Sequence, residues 1–282
     1  MTKQSNLLIF TISWFLLYPI LLFSNNGPVI DSSEVTRLKK EHVNEDVIVY
    51  ESEINFEFKL SQNNQTVEVL ETYQDVYVAL NDNSKSVAYR YYDSFSDLSK
   101  EKVKKSNQDI LYYKKCGDYE VNGIFFHDNK VCNYNFSIPK AGDYIQLSDK
   151  KEYFDARYLS SVELIRMQRV REMQLSFTIP DNIDVELLEM NFSNYEIAKT
   201  ELYDEKTKTR IIGYKISNLQ PAVLKDIAGS SWIFPHIIVV TKGYFYNGIK
   251  YSVFGSNLDL YKWYKDLIPD NSTTHKSRLI SH

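Results

Sequence analysis

No stretch limits the possible folds of this chain more than residues 140–180, KAGDYIQLSDKKEYFDARYLSSVELIRMQRVREMQLSFTIP. Gly142-Asp143 supplies a turn into a strand, a crossing segment follows, and a long strand of alternating large and charged residues closes on Pro180. A strand with that alternation buries one face, so the strands before it and the strands after it must cover each other.

Both flanks supply such strands. Ile54, Phe56, Phe58 and Leu60 alternate with Asn55, Glu57 and Lys59, and the polar residues 61–64 turn the chain back. Residues 66–80 repeat the alternation at Val67 and Val69, then at Val76, Val78 and Leu80; the change of phase implies a bulge near Thr72. Asn81-Asp82-Asn83 is the next turn, leading to a strand over 86–92. Shorter strands are expected over 110–113, 119–126, 130–139, 185–192 and 211–216. Residues 232–241, WIFPHIIVVT, read as a buried strand entered through Pro235. A content of 22 Tyr and 15 Phe against 9 Gly agrees, because aromatic rings pack well on a pleated, half-buried surface.

Two stretches read as helices instead. Phe95, Leu98 and Val103 stand at near-helical spacing in residues 94–108, where Lys100, Lys102, Lys104 and Lys105 interleave with Asp97 and Glu101 as a solvated face. Residues 258–267 place Leu258, Tyr261, Trp263 and Leu267 near one helical face. No repeat and no Gly-rich or Pro-rich linker divides residues 46–268. The expected fold is all-β: a large antiparallel β-sandwich-like domain over 46–268 with one or two short helices. Residues 25–45 read as a linker or frayed helix, and 269–282 as a disordered tail.

Lys3, the apolar run 7–23 and Ser24 have the form of a signal peptide over residues 1–24. The expected location is periplasmic or secreted, with a membrane contact only if this segment stays uncleaved. In an oxidising compartment the only two cysteines, Cys116 and Cys132, are expected to form a disulfide. Closing that loop would stabilise the fold by roughly 3 kcal/mol. A formal net charge of −4 gives no field to attract phosphate backbones, so nucleic acid is not an expected partner.

Chemistry is sparse. Cys132 lies five residues after His127, but sequence spacing in a strand-rich loop does not bring a thiol and an imidazole together. The five histidines, His42, His127, His236, His275 and His282, are dispersed, so no zinc site and no cofactor is expected. His236 sits inside an apolar strand and reads as a core or edge histidine. Glu186 with Glu189, and Asp204 with Glu205, read as solvated carboxylates. Tyr89, Tyr91 and Tyr92, and Tyr244, Phe245 and Tyr246, offer rings that sugars or peptides would stack on, but alternation sends half of them into the core.

One further pattern is the order of DVIVYESEINFEF at 46–58, AYRYYDSFSDLSKEKVKK at 88–105, the turn Lys140-Ala141-Gly142-Asp143, residues 218–222, Pro235-His236-Ile237-Ile238-Val239 and Trp263-Tyr264. This order resembles the domain of unknown function that precedes transglutaminase-like domains in secreted proteins of Bacteroidetes-type bacteria, over most of residues 41–268. The resemblance implies an all-β sandwich-like module of unassigned activity, followed in relatives by a domain with a Cys, His and Asp triad. This chain stops shortly after Trp263-Tyr264, so no triad is carried over.

The expectation is a non-catalytic exported module that binds a protein or polymer partner, with a transglutaminase-like enzyme in trans as the partner that the resemblance implies. The alternatives are the detached N-terminal half of a split transglutaminase-like or cysteine-peptidase-like enzyme, and an independent thiol enzyme using Cys132 with His127.

Overall fold

The computed structural model describes residues 28, 30–63, 65–119, 128–222 and 233–267. The expected signal peptide, the tail, most of the strand expected over 119–126, and His127 lie outside these residues. In chain order the helix α1 (Ser32–Glu41) precedes β1 (Val47–Leu60), β2 (Val67–Ala79), β3 (Ser84–Tyr92), β4 (Ser96–Lys105), β5 (Leu111–Asp118), β6 (Lys130–Ile138) and β7 (Tyr144–Tyr153). Then come β8 (Ser161–Glu163), β9 (Val170–Pro180), β10 (Ile183–Met190), β11 (Ile197–Asp204), β12 (Thr209–Leu219), β13 (His236–Tyr246), β14 (Ile249–Ser252) and the helix α2 (Asn257–Leu267).

The all-β expectation holds. A seven-stranded sheet runs in the order β11-β12-β9-β1-β2-β7-β4, a three-stranded sheet pairs β3-β6-β5, and a four-stranded sheet joins β10, β13 and β14 with β8 on β13. The expected antiparallel character needs one correction: β1 and β9 pair in parallel, so the large sheet is mixed. Phe56 and Phe177 are register partners in that pair, their rings stacked at 5.0 Å. One continuous apolar core draws on all three sheets, with Phe58 and Leu175 from the large sheet, Tyr134 and Phe136 from β6, and Ile237 and Val239 from β13. The two small sheets thus share the second layer that a one-faced strand requires.

The bulge lies elsewhere than expected. β1 and β2 pair without interruption through Asn55 and Thr72, and the register slips at Tyr50, between Val49 and Glu51. That extra residue reverses the phase of β1: Val47 and Val49 face the main core before it, and Ile54, Phe56 and Phe58 after it. The apparent slip in β2 has another cause. Tyr77 and Ala79 face the main core, while Val76, Val78 and Leu80 face the other way and are buried as well.

What buries them is α1, in the segment that reads as a linker or frayed helix. Asp31 caps the helix by accepting from the Glu34 amide at 2.8 Å, Arg37 pairs with Glu34 and Glu41, and Leu38, 1% exposed, packs with Ile48, Val76, Val78 and Leu80. Gly142 brings the turn before β7 under this helix. Its amide donates to the Ala79 carbonyl at 2.8 Å, its φ is +88°, and an added Cβ would stand 3.3 Å from Val35.

The helix expected over 94–108 is a strand, β4, on the edge of the large sheet. Leu98 and Val103 both pack against the core although they stand five positions apart, an odd offset that would put them on opposite faces of a regular strand. A bulge between Ser99 and Lys102, with Lys100 at φ 52°, absorbs the extra residue and restores the phase. A bulged strand and a short helix therefore leave the same apolar spacing. β11 had no sequence signal, because its residues are nearly all exposed on the other edge.

If α1 is part of the folded unit, Leu38→Ala is expected to lower the free energy of unfolding by about 2–4 kcal/mol in a denaturant titration. A change of about 0.5 kcal/mol or less, typical of surface positions, would show that the helix does not dock.

Candidate functional site

The inward face of the large sheet changes character midway along β2 and β7. Alternation puts Glu71 and Asp75 in line with Val67, Val69, Tyr73 and Tyr77, and puts Asp149 and Lys151 in line with Ile145, Leu147 and Tyr153. Charged groups on a core face need partners, because burial without them costs several kcal/mol. Arg90, on the inner face of β3, supplies one. Its Nε donates to Asp149 Oδ2 at 2.9 Å, its Nη2 to Asp75 Oδ2 at 3.3 Å and its Nη1 to the Tyr89 carbonyl at 3.1 Å. Its guanidinium lies 3.6 Å from the Tyr73 ring centroid, and the Tyr77 hydroxyl donates to the same Asp75 oxygen at 2.9 Å. Arg90 is 7% exposed and Asp75 fully buried, so this is an interior ion cluster joining β3 to β2 and β7.

Beside it, Glu71 stands opposite Lys151 in register and accepts from the Tyr153 hydroxyl at 3.1 Å. Burial pushes the Glu71 carboxyl above its ordinary range, with Lys151 opposing, and pushes the Lys151 ammonium below its own, with Glu71 opposing. Asp149 is raised by burial too, against the pull of Arg90.

These groups floor a cavity of about 620 Å³ between the layers. Its apolar wall includes Ile54, Phe56, Val87, Ala88, Val162 and Met167. The opposite wall is the segment from β8 to β9, held by short backbone bonds: the Leu164 amide donates to the Pro235 carbonyl at 3.0 Å and the Ala222 amide to the Arg166 carbonyl at 2.8 Å. The Gln168 side chain ties the same segment to β3 through Ser86 and Val87. Two charged side chains on this wall, Glu163 and Arg166, keep buried polar atoms without a partner: Glu163 Oε2, and Arg166 Nε and Nη2. A second depression, of about 320 Å³ beside α2, is different, for its Asp155 pairs with Arg157 and its Asp259 accepts from Ser252 and Ser256.

The residues singled out in the sequence lie mostly away from the cavity. Cys116 and Cys132 are register partners on β5 and β6 and form the disulfide, so a thiolate at Cys132 would require that bond to be reduced. His236 is a core histidine, 4% exposed, its Nδ1 at 3.1 Å from the Phe234 carbonyl. Glu186 pairs with Lys242 and Glu189 with Lys199, and no group of potential metal ligands occurs among the described residues. Tyr89 and Tyr91 do reach the cavity rim, Tyr91 exposed, while Tyr244 is buried and stacked on Tyr251.

The cluster itself escaped the sequence reading, although a signal was there. Counting in twos from Val67 reaches Glu71 and Asp75, and from Ile145 reaches Asp149 and Lys151; the imagined bulge at Thr72 hid the first series. Arg166 and Glu163 carry no such mark, since they sit in an irregular segment.

No protein family matches the sequence, and no curated protein does. Among solved structures the chain is similar to a putative protease from Parabacteroides distasonis, at 9% identity and a TM-score of 0.47, over 70% of this chain and 40% of that one. It is also similar to yeast LTA4 hydrolase with bestatin, at 10% identity and a TM-score of 0.30, over 69% of this chain and 34% of the other. The chain thus spans less than half the length of either, and likeness at this level carries no statement about activity. Among the described residues no helix is long and apolar enough to cross a membrane, and the disulfide is compatible with an extracellular or periplasmic location.

Removing Arg90 alone leaves two buried carboxylates uncompensated, so Arg90→Met is expected to cost about 3–5 kcal/mol. Replacing the whole cluster, with Asp75→Leu and Asp149→Leu added, is expected to recover most of that loss in the same denaturation assay. A triple variant weaker than the single one would deny the cluster its coupling.

A pH series tests Glu71. Its folded-state proton is held more tightly than at the ordinary 4.5, so the stability it contributes is fully present below pH 4.5 and is lost as pH rises through the folded value. Glu71→Gln is expected to show a shallower loss of stability above pH 4.5 than the wild type; identical slopes would mean that Glu71 titrates alike in both states.

Proposed function

We propose that this chain is a non-catalytic recognition module, periplasmic or secreted, whose cavity receives part of a protein or polymer partner. The observation that carries the reading is the division of polar groups at the cavity. The ionic groups that resemble catalytic apparatus, Arg90, Asp75 and Asp149, are tied to one another and leave only Asp75 Oδ1 without a partner, whereas Glu163 and Arg166 on the facing wall hold three buried unpartnered polar atoms. A pocket of mostly apolar lining with a few convergent polar groups suits binding and orientation. The cysteines, joined to each other, offer no nucleophile. The resemblance of residues 41–268 to the module preceding transglutaminase-like domains supplies a partner class, an enzyme of that kind provided in trans. The apolar amino-terminal run supports export.

Retention of cell-envelope material on the immobilised full chain tests this. Wild type is expected to retain a component and release it with its mass unchanged. Ala88→Phe within the cavity and Ser161→Trp at its exposed rim are expected to lose that retention while keeping the wild-type circular dichroism. Retention unaffected by either variant, or release of a cleaved or cross-linked product, would overturn the reading.

A further inference from the structure

Arg166 differs from Arg90 in what it lacks. Its Nη1 donates to the neighbouring Ile165 carbonyl at 2.6 Å, which leaves Nε and Nη2, both buried and both unpartnered. Those two nitrogens share one edge of the planar guanidinium, the edge whose parallel N–H bonds match the two oxygens of a carboxylate. The group is held for that purpose: the Arg166 backbone is fixed by Ala222, and its guanidinium carbon stands 5.1 Å from the Tyr73 ring centroid. Two buried guanidinium nitrogens without an acceptor are a costly arrangement that an incoming anion would relieve.

Glu163 narrows the choice of anion. Its Oε1 accepts from the Ser161 hydroxyl at 3.2 Å, while Oε2 is buried without a donor. Glu163 and Arg166 line the same cavity, and neither Glu163 Oε2 nor Arg166 Nε or Nη2 has a hydrogen-bond partner. A phosphate would satisfy Arg166 but face the Glu163 carboxyl as another acceptor. A ligand that satisfies both must carry a carboxylate and, a short reach away, an N–H. Val87, Ala88, Val162 and Met167 add an apolar surface for a side chain.

We propose that the cavity binds the carboxylate of an α-amino acid, free or as the last residue of a peptide, with the side-on edge of Arg166 gripping the carboxylate and Glu163 accepting from the α-nitrogen. This rests on the recognition reading and names the chemistry that the recognised segment presents. A volume of about 620 Å³ is of the size that holds an amino acid or a dipeptide.

Calorimetric titration of the full chain with six probes tests it: L-phenylalanine, N-acetyl-L-phenylalanine, the dipeptide Ala-Phe, L-phenylalaninamide, 3-phenylpropanoate and inorganic phosphate. The acids are expected to bind, the amide at least about tenfold more weakly, and phosphate not at all. The order of free phenylalanine against Ala-Phe and the acetylated acid separates a free amino acid from a peptide end. Arg166→Lys keeps the charge but not the fork, and is expected to weaken every acid about tenfold or more with an unchanged melting temperature. Glu163→Gln is expected to weaken phenylalanine while leaving 3-phenylpropanoate unchanged, since that probe has no nitrogen. Equal binding of acid and amide, binding of phosphate in preference to the acids, or indifference to Arg166→Lys would overturn the proposal. Absence of binding by every probe at millimolar concentration would overturn it too. If the cavity-filling variants still abolished envelope retention, that last outcome would leave the recognition reading standing.

Discussion

Arg90 reaches from the three-stranded sheet to two carboxylates on the seven-stranded one, and the space between the layers is organised by that reach. On either side of it the layers meet through rings and branched aliphatic side chains that interdigitate. At Arg90 they cannot, because a guanidinium and two carboxylates keep their spacing and their planar geometry. The ion cluster thus both fastens the layers and prevents apolar side chains from closing the gap, which is where the cavity lies. Glu71 and Lys151, each pushed toward neutrality by burial, extend the same polar floor beneath the rim.

The parity of β1 and β2 makes that arrangement consistent with a folded core on both faces. One extra residue at Tyr50 lets β1 turn Val47 and Val49 and then Ile54 and Phe56 to the same side. β2 needs no such device, since α1 covers its other face through Leu38. The Arg171 guanidinium, 3.9 Å from the centroid of the Tyr50 ring, covers the bulge from the neighbouring parallel strand. The first helix, the bulge and the parallel pair are therefore one packing solution.

The two walls of the cavity differ. The floor is made by regular strands whose charged groups are joined through Arg90, with Asp75 Oδ1 left over, and the facing wall by an irregular segment whose Glu163 and Arg166 are not joined to a charged partner. Rigid strands that hold a less regular segment in place are a common way to build a recognition surface. Here the irregular segment is fixed at Leu164, Arg166 and Gln168, so its side chains are presented rather than free to wander.

Much of this was legible in the order of residues. Alternation with period two gave most strands and the expectation that part of the tyrosine rings face the core, turn residues gave Gly142-Asp143, and the pairing of Cys116 with Cys132 followed from their being the only two cysteines. These are local properties, decided by which face of a pleated strand a side chain occupies. Three features were not local. A bulge at Lys100 gave β4 a helical spacing, the cover of α1 made β2 look out of phase, and the edge position of β11 left it without an apolar face. The candidate site was hidden for the same reason. Arg90 and Asp75 come from two consecutive strands and Asp149 from a third far along the chain, and Arg166 is defined by a missing partner. Only the packing of the sheets, which sets distances between remote side chains, decides which buried charge is matched and which is left without a partner.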